Sequence, residues 1–121
     1  MATQIQAYVA YGPRVELGNT VQTRQIAEYI ASRTSLNRGE IENVLRELNE
    51  AITFFTKQGA AVKLEGVGTF TPSINLEGMF DVGFRLDTSI DGALNVPGAF
   101  TGNIRNGANI GKTNADLKSI L

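Results

Sequence analysis

The side chains that enzymes most often use for chemistry are scarce in this sequence. Its 121 residues include no cysteine and no histidine, which removes thiolate ligands, disulfides and the commonest general base. Gly111-Lys112-Thr113 ends like a phosphate-binding P-loop, but that motif needs a glycine where Asn106 stands, and Gly107 comes one residue late. Only eight residues follow Thr113, too few for the long helix of a P-loop. We therefore predict a turn and a helix start there, no enzymatic activity, no cofactor and no metal site.

Cationic side chains remain as candidates for binding. Eleven Lys and Arg residues stand against twelve Asp and Glu, which gives a net charge of −1 and an isoelectric point near 5.4. Sequence-independent binding of DNA depends on a dense basic surface, so this balance argues against strong affinity. The cations are spread along the chain without a run of adjacent basic residues. Folding must therefore assemble any positive patch.

The stretch from residue 59 to residue 70, GAAVKLEGVGTF, is the central element of the predicted fold. Its apolar residues alternate with a period of two, and two glycines remove side chains between them. The apolar residues are Val62, Leu64 and Phe70, and the glycines are Gly66 and Gly68. This pattern predicts a sharply bent strand. Residues 80–86 alternate in the same way and predict a second strand, with the turn at residues 75–78.

Two amphipathic helices are predicted before this strand. Apolar residues recur at helical spacing over residues 20–33 and again over residues 37–58. Asn37 followed by Glu40 is typical of a capping box, and Gly59 is the expected left-handed stop of the second helix. The short link folds the helices into a hairpin, and the second helix carries more apolar surface than the first can cover. We therefore expect a homodimer, in which a second subunit covers the rest.

The helix hairpin ending at Gly59 and the following V-K-L-E-G-V-G-T-F resemble the bacterial histone-like HU and integration host factor family. The resemblance runs without a gap over about residues 20–70 and again over residues 82–95. It implies an α+β, HU/IHF-like fold, with an N-terminal helix hairpin, a short antiparallel β-sheet and a short C-terminal helix. An extra N-terminal β segment and a C-terminal extension would complete the chain.

We expect one compact domain overall, in three parts. These are an N-terminal β extension at residues 1–19, the HU-like domain at 20–95 and a C-terminal extension at 96–121. The first part alternates on either side of Gly12-Pro13, which is typical of an edge hairpin or an arm covering the body or the partner chain. The last part is rich in Gly and Asn and closes with a short helix capped by Thr113 and Asp116. Its N-I-G-K-T resembles the end of HU-related domains in larger proteins.

The resemblance implies contact with the backbone of duplex DNA without strong sequence preference. The candidate DNA-binding residues are Lys63 and Arg85 on the sheet, and Arg33, Arg38 and Arg24 near the helix ends. In the family, a long basic β-arm tipped by a proline makes most contacts and kinks the duplex. Here about a dozen residues separate Phe70 from Val82, and their charges are acidic. We therefore expect weak binding that leaves DNA close to straight.

Two functions remain open at this point. The first is an HU-like, nucleoid-associated DNA-binding protein, and the second is a structural or assembly protein that keeps the HU-like dimer as a scaffold without significant DNA binding. Lys63 and Arg85 are as well suited to pair with Glu65, Asp81 or Asp87 as with phosphates.

The expected location follows from what the sequence lacks. No apolar run reaches membrane-spanning length, and MATQIQAY lacks the features of a signal peptide. We therefore expect a cytoplasmic protein, in the nucleoid if it binds DNA, with no membrane partner and no small-molecule substrate.

Overall fold

The structure is a computed structural model that describes residues 11–113 and 115–116. The chain divides into two compact units. One unit is formed by residues 21–100, and the other by the two ends of the chain, residues 1–20 and 101–121. We call them the HU-like unit and the terminal unit.

The HU-like unit begins with the predicted helix pair, α1 (Thr23–Ala31) and α2 (Arg38–Lys57). The Asn37 side chain accepts a hydrogen bond from the Glu40 backbone N–H at 2.8 Å, which satisfies one of the unpaired donors at the start of α2. After α2, Gly59 has a φ of +82°, the left-handed conformation that ends helices. Both predicted boundaries of the second helix are confirmed.

Three antiparallel strands follow, β2 (Val62–Leu64), β3 (Gly68–Ile74) and β4 (Phe80–Leu86), with β3 in the centre. The prediction of one bent strand over residues 59–70 is wrong, because the chain reverses after β2. The Val67 N–H donates to the Leu64 carbonyl at 3.0 Å, and Gly66 has a φ of +78°. A glycine in the left-handed region permits a tight turn, so the first strand becomes two paired strands.

Strand register separates the sheet into an apolar face and a polar face. Phe70 of β3 lies opposite Val62 of β2 on one side and opposite Phe84 of β4 on the other. The ring centroids of Phe70 and Phe84 are 4.8 Å apart. Because side chains alternate along each strand, apolar residues occupy every second position. The apolar face carries Val62, Leu64, Phe70, Pro72, Ile74, Phe80, Val82, Phe84 and Leu86. Helix α2 packs against this sheet.

A tight turn joins β3 to β4, as predicted. The Asn75 side-chain Oδ1 accepts hydrogen bonds from the backbone N–H groups of Glu77 (2.9 Å) and Met79 (3.0 Å), and Gly78 has a φ of +83°. An Asx-type turn with a glycine fits this connection. The short helix α3 (Thr88–Leu94) follows β4, as expected, and Asp87 caps it by accepting from the Ser89 N–H at 3.2 Å.

The terminal unit is a two-stranded antiparallel ribbon, β1 (Arg14–Glu16) with β5 (Asn103–Arg105), followed by a 3-10 turn at Gly107–Asn109. The second extended piece predicted in the N-terminal segment is therefore confirmed, while the first lies in residues 3–10, outside the described residues. Thr113 and Asp116 form the predicted reciprocal cap, with hydrogen bonds of 3.0 and 3.1 Å. The predicted α+β fold is confirmed, and none of the described helices has the length and apolarity to span a membrane.

Candidate nucleic-acid interface

The polar face of the sheet brings two predicted DNA-binding residues into one row. Lys63 on β2 lies opposite Thr69 on β3, and Thr69 lies opposite Arg85 on β4. Directly opposed residues of antiparallel strands share a face, so the three side chains stand side by side, with a hydroxyl between two cations. We call Lys63, Thr69 and Arg85 the cationic row.

The cationic row is open to solvent. A shallow depression of about 260 Å³ surrounds it. Its lining is Lys63, Leu64, Gly68, Thr69, Arg85, Leu86, Asp87 and Thr88. Within residues 11–113, no carboxylate lies within 4.0 Å of the Lys63 or Arg85 nitrogen atoms. The ion pairs with Glu65, Asp81 or Asp87 that the sequence left open are therefore not formed.

Asp87 is the acidic neighbour of this row. Hydrogen bonds from the Ser89 hydroxyl and the Ser89 backbone N–H lower the pKa of Asp87 below its ordinary value, and the charge of Lys63 lowers it further. The carboxylate is thus ionised at neutral pH. It caps α3 and at the same time reduces the positive potential that the row presents.

Asp81 lies on the same face but at the other end of β4. It is opposite Ser73, near the turn, and its side chain accepts the Val82 N–H at 2.9 Å. Arg85 lies four positions along the strand from Asp81, or about 13 Å away, which exceeds the distance over which salt screens exposed charges. The polar face therefore has a cationic end at Lys63 and Arg85 and an acidic end at the hairpin tip.

The three predicted arginines of the helices lie at a different place. Glu28 is 3.3 Å from the Arg24 Nε and 3.8 Å from an Arg38 guanidinium nitrogen, so one carboxylate holds both cations. Arg33 donates to the Tyr29 hydroxyl at 3.0 Å and lies over its ring, 5.6 Å from the centroid. None of the three lines the depression around the cationic row. The structure thus brings Lys63 and Arg85 together and gives the helix arginines intramolecular partners.

Two residues that sequence reasoning did not assign belong to this site. Thr69 supplies a hydroxyl between the cations, and Asp87 supplies the opposing charge. Thr69 alternates with the apolar residues of β3, so the period-two pattern already placed it on the polar face. Asp87 lies between β4 and α3 as the helix cap, and its signal in the sequence is an Asp before Thr-Ser at a helix start.

The apolar face is only partly covered within this chain. Ala27 and Ile41 are the buried apolar residues among those described, whereas Phe80 is 80% exposed and Phe54 of α2 is 59% exposed. A groove of about 530 Å³ lies between the C-terminal end of α2 and the β3–β4 hairpin. Its apolar lining includes Pro72, Ile74, Phe80 and Val82. An apolar surface of this kind on a small unit is typical of a protein–protein interface.

The part of the chain that the structure describes contains no cluster of potential metal ligands. No group of three or more His, Cys, Asp or Glu side chains there is arranged to hold an ion. The HU-like unit presents a polar face that carries Lys63 and Arg85 and an exposed apolar face.

Comparison with known proteins adds one finding to this geometry. A family model described as "HU domain fused to wHTH, Ig, or Glycine-rich motif" (HU-HIG) matches residues 3–83, about two thirds of the chain. The match begins within the N-terminal segment and ends within β4. No curated protein matches the chain.

Proposed function

Because the chain belongs to the HU-HIG family of HU domains, we propose that it binds the backbone of duplex DNA through the cationic row. HU-family domains are typically not enzymes, and the proposal assigns no catalytic step. Binding to the backbone is without strong sequence preference, because contacts to phosphate groups carry no direct sequence information. The protein acts in the nucleoid of the cytoplasm.

The observation that carries this proposal is the register of the three strands. It places Lys63, Thr69 and Arg85 on one exposed face, with no carboxylate within ion-pairing distance of either cation. Lysine and arginine nitrogens contact phosphate oxygens, and a threonine hydroxyl donates to them. Adjacent positions across strands are about 5 Å apart, so neighbouring side chains can engage one phosphate group or two successive ones.

We propose a homodimer as the binding species. The apolar groove and the exposed phenylalanines Phe54, Phe55 and Phe80 need a cover, and a second copy carries the same apolar surfaces. A two-fold dimer repeats each patch on both subunits. It therefore presents two cationic rows to a duplex, or four sheet cations in total.

Weak binding follows from the charges around the row. The HU-like unit carries seven Lys and Arg residues against ten Asp and Glu, a formal net charge of −3. Each phosphate that a cation neutralises contributes about 0.9 to the slope of log K against log salt. Four cations per dimer therefore predict a slope of about 3 to 4, which is small for a DNA-binding protein.

Fluorescence anisotropy with a random 20-base-pair duplex, titrated with protein at several salt concentrations, tests the proposal. We expect Arg85→Gln to lower the affinity severalfold and to reduce the salt slope by about 1.8 per dimer, since each dimer loses two phosphate contacts. Arg46→Gln removes an equal charge from an exposed position on α2 and serves as the matched control. Equal effects of the two substitutions would show that the row is not the contact surface.

A scaffold function is the second candidate, and the exposed apolar face favours it. In that case the chain forms the same dimer and uses it to assemble with other proteins, and the acidic HU-like unit does not bind DNA. The same titration separates the two functions. A stable dimer with no measurable affinity for duplex DNA at low salt would support the scaffold and exclude the cationic row as a DNA site.

A further inference from the structure

We propose that Asn106-Gly107 is a site of spontaneous deamidation, which irreversibly breaks a hydrogen bond between the N-terminal and C-terminal parts of the terminal unit. Among the ten asparagines of the chain, Asn106 alone is followed by glycine. In this dipeptide the glycine nitrogen reaches the preceding side-chain amide most easily, because glycine has no Cβ atom to hinder the approach. The sequence therefore singles out one asparagine as the reactive one.

The reaction balances with water as its one co-reactant. The backbone nitrogen of Gly107 gives its proton to solvent and attacks Cγ of the Asn106 side chain, which closes a five-membered succinimide ring. The bond between Cγ and Nδ2 breaks, and Nδ2 takes a proton from solvent and leaves as ammonia. Water then opens the ring at one of its two carbonyl carbons, which leaves aspartate or isoaspartate in place of asparagine. No atom is oxidised or reduced.

The Asn106 amide that this reaction removes is a structural contact. Its Nδ2 donates a hydrogen bond to the Gly12 carbonyl oxygen at 3.1 Å, and this partly buried bond joins residues 94 positions apart in the chain. Beside it, Nδ2 of Asn109 donates to the Tyr11 carbonyl oxygen at 2.7 Å. The two bonds join the segment that leads into β1 to the segment that follows β5. Asn109 is followed by isoleucine, so it makes a similar bond without the reactive neighbour.

Glycine is not required at position 107 by the fold. The backbone of Gly107 lies outside the left-handed region that favours glycine. A Cβ atom built on it would lie 3.7 Å from the nearest side-chain atom, in Ile104, which is ordinary van der Waals contact. Alanine can therefore occupy this position without strain, and the reactive dipeptide can be removed while the terminal unit stays folded.

The folded conformation restrains the reaction. Asn106 has a φ of 58° and a ψ of 33°, and at this ψ its Cβ atom and the Gly107 nitrogen lie on opposite sides of the Cα–C bond. Ring closure needs them on the same side, so the backbone must turn, while the bond to Gly12 holds the side chain back. Asn106 has another interaction within the chain as well. Deamidation therefore proceeds from molecules in which this part of the terminal unit has opened locally.

The product cannot restore the bond that asparagine makes. An ionised carboxylate has no N–H to donate, so an oxygen atom faces the carbonyl oxygen of Gly12. A partly buried acceptor that loses its donor destabilises the contact, and the new negative charge adds repulsion. Isoaspartate also inserts an additional carbon atom into the backbone. The link between the two segments is therefore lost for good once the reaction has occurred.

Peptide mass mapping tests the reaction on the full chain, and its readout does not involve DNA. The protein is held at physiological temperature and mildly alkaline pH, and samples are digested briefly with trypsin. Cleavage after Arg105 and Lys112 gives one peptide, residues 106–112, that contains both Asn106 and Asn109. We expect aspartate and isoaspartate to accumulate at position 106, with Asn109 unchanged as the internal control. We expect Gly107→Ala to slow the change at position 106 severalfold.

Three results would overturn the proposed site. These are no change at position 106 during the incubation, equal rates at Asn106 and Asn109, and the same rate in Gly107→Ala as in the unsubstituted chain. The same incubation in urea measures the restraint that the fold exerts. We expect Asn106 to react severalfold faster in the unfolded chain, and equal rates in urea and in buffer would show that the folded conformation gives no protection.

Hydrogen exchange measures the structural consequence, with Asn106→Asp as a stand-in for one product. Asn19→Asp adds the same charge at an exposed position of the same unit and is the matched control. We expect the amides of residues 14–16 and 103–105 to exchange severalfold faster in Asn106→Asp than in the control. Unchanged exchange over residues 62–86 shows that each variant is folded. Equal exchange of the ribbon in the two variants would contradict the release of its two segments.

Discussion

At the scale of single residues, Asp87 has two roles that oppose each other. Its carboxylate caps α3 through Ser89, and its charge lies beside the cationic row. Asparagine caps helices about as well as aspartate but carries no charge. We therefore expect Asp87→Asn to keep the fold and to lower the Kd for duplex DNA about two- to fivefold, measured by anisotropy at low salt.

Glu50→Gln is the control for this substitution, because it removes one negative charge from an exposed position on α2. An equal gain in affinity from both variants would mean that only the net charge matters. A gain confined to Asp87→Asn would locate the bound phosphates near the row.

Gly68 is the position where the sheet has least room. A Cβ atom built there would lie 2.5 Å from both the Arg85 carbonyl oxygen and the Phe84 ring, and the backbone oxygen cannot move aside. We expect Gly68→Val to destabilise the fold by about 1–3 kcal/mol or more, from overpacking. Lys63→Ala, on the exposed face, should change stability by less than about 0.5 kcal/mol. Urea denaturation midpoints compare them, and equal shifts would contradict the register.

The lowered pKa of Asp87 makes the stability of the fold depend on pH. Because the folded chain holds this group below its ordinary value of 3.8, the folded state binds the proton less readily than the unfolded state. The stabilisation is present above the ordinary value and is lost as the pH falls through the folded value. We expect Ser89→Ala, which removes the largest cause of the shift, to flatten the fall of the melting temperature below about pH 4.

Ser73→Ala is the matched control for this pH dependence, since the Ser73 hydroxyl bonds only a backbone carbonyl in the described part of the chain, that of Asp81 at 3.4 Å. Its melting temperature should follow that of the unsubstituted protein as the pH falls. A flattening of the same size in both variants would remove Asp87 as the cause.

Residue patterns predicted the two faces of the sheet better than the site itself. Alternation around Val62 and Phe84 placed Lys63 and Arg85 on the polar face, but their alignment depends on the register of two strands that do not pair with each other. Arg24 and Arg38 are near helix ends, as predicted, yet their partner is Glu28. The packing of the two helices decides which carboxylate a long side chain reaches, and the residue pattern does not specify that packing.

At the scale of elements, the β3–β4 hairpin determines what DNA binding can do to the duplex. Its tip carries the acidic Glu77 beside Leu76, which is fully exposed, and Asp81 follows close behind. Kinking requires an apolar wedge and enough basic surface on the bent duplex to offset unstacking, which costs a few kcal/mol per step. Acidic neighbours repel the phosphates that flank any insertion.

We therefore expect the duplex to stay close to straight when the protein binds. Energy transfer between dyes on the two ends of a short duplex measures the bend, and Leu76→Ala should leave both the affinity and the transfer unchanged. A large, saturable shortening of the end-to-end distance near physiological salt, lost in Leu76→Ala, would show that the hairpin tip is a wedge.

Elements with local signals were predicted, and those set by distant contacts were not. Helix α2 has a cap at Asn37 and a stop at Gly59, so its limits follow from the sequence. Gly66 permits either a bend within one strand or a tight turn between two strands, so its presence in the sequence does not distinguish them. The pairing of β1 with β5 joins residues 14–16 to residues 103–105, and nothing near either strand specifies a partner so far along the chain.

At the scale of the whole molecule, the exposed apolar face predicts a tight homodimer. Only Ala27 and Ile41 are buried apolar residues in the described part of the chain, too few to stabilise a unit of this size alone. We expect light scattering coupled to size exclusion to report about twice the chain mass of 13.0 kDa, and the melting temperature to rise with concentration. Phe80→Glu should shift the protein towards monomer.

Glu77→Gln, at the hairpin tip, is the control for Phe80→Glu and should leave the mass unchanged. A monodisperse monomer at micromolar concentration, with a melting temperature independent of concentration, would contradict the dimer and leave the apolar groove without its proposed occupant.

Pro72 has a further consequence, for the behaviour of the protein in a crowded solution. Strand β2 begins with Val62 opposite Phe70, so the outer part of β3, beyond Phe70, has no strand partner on that side in the described part of the chain. An unpaired strand edge can form hydrogen bonds with a strand of another molecule, and such pairing can start aggregation. Proline has no N–H to donate, and its position in the middle of β3 interrupts the pattern that an incoming strand would need. The residue therefore protects the sheet against adding foreign strands, leaving α2 and the apolar face as the surface for specific association.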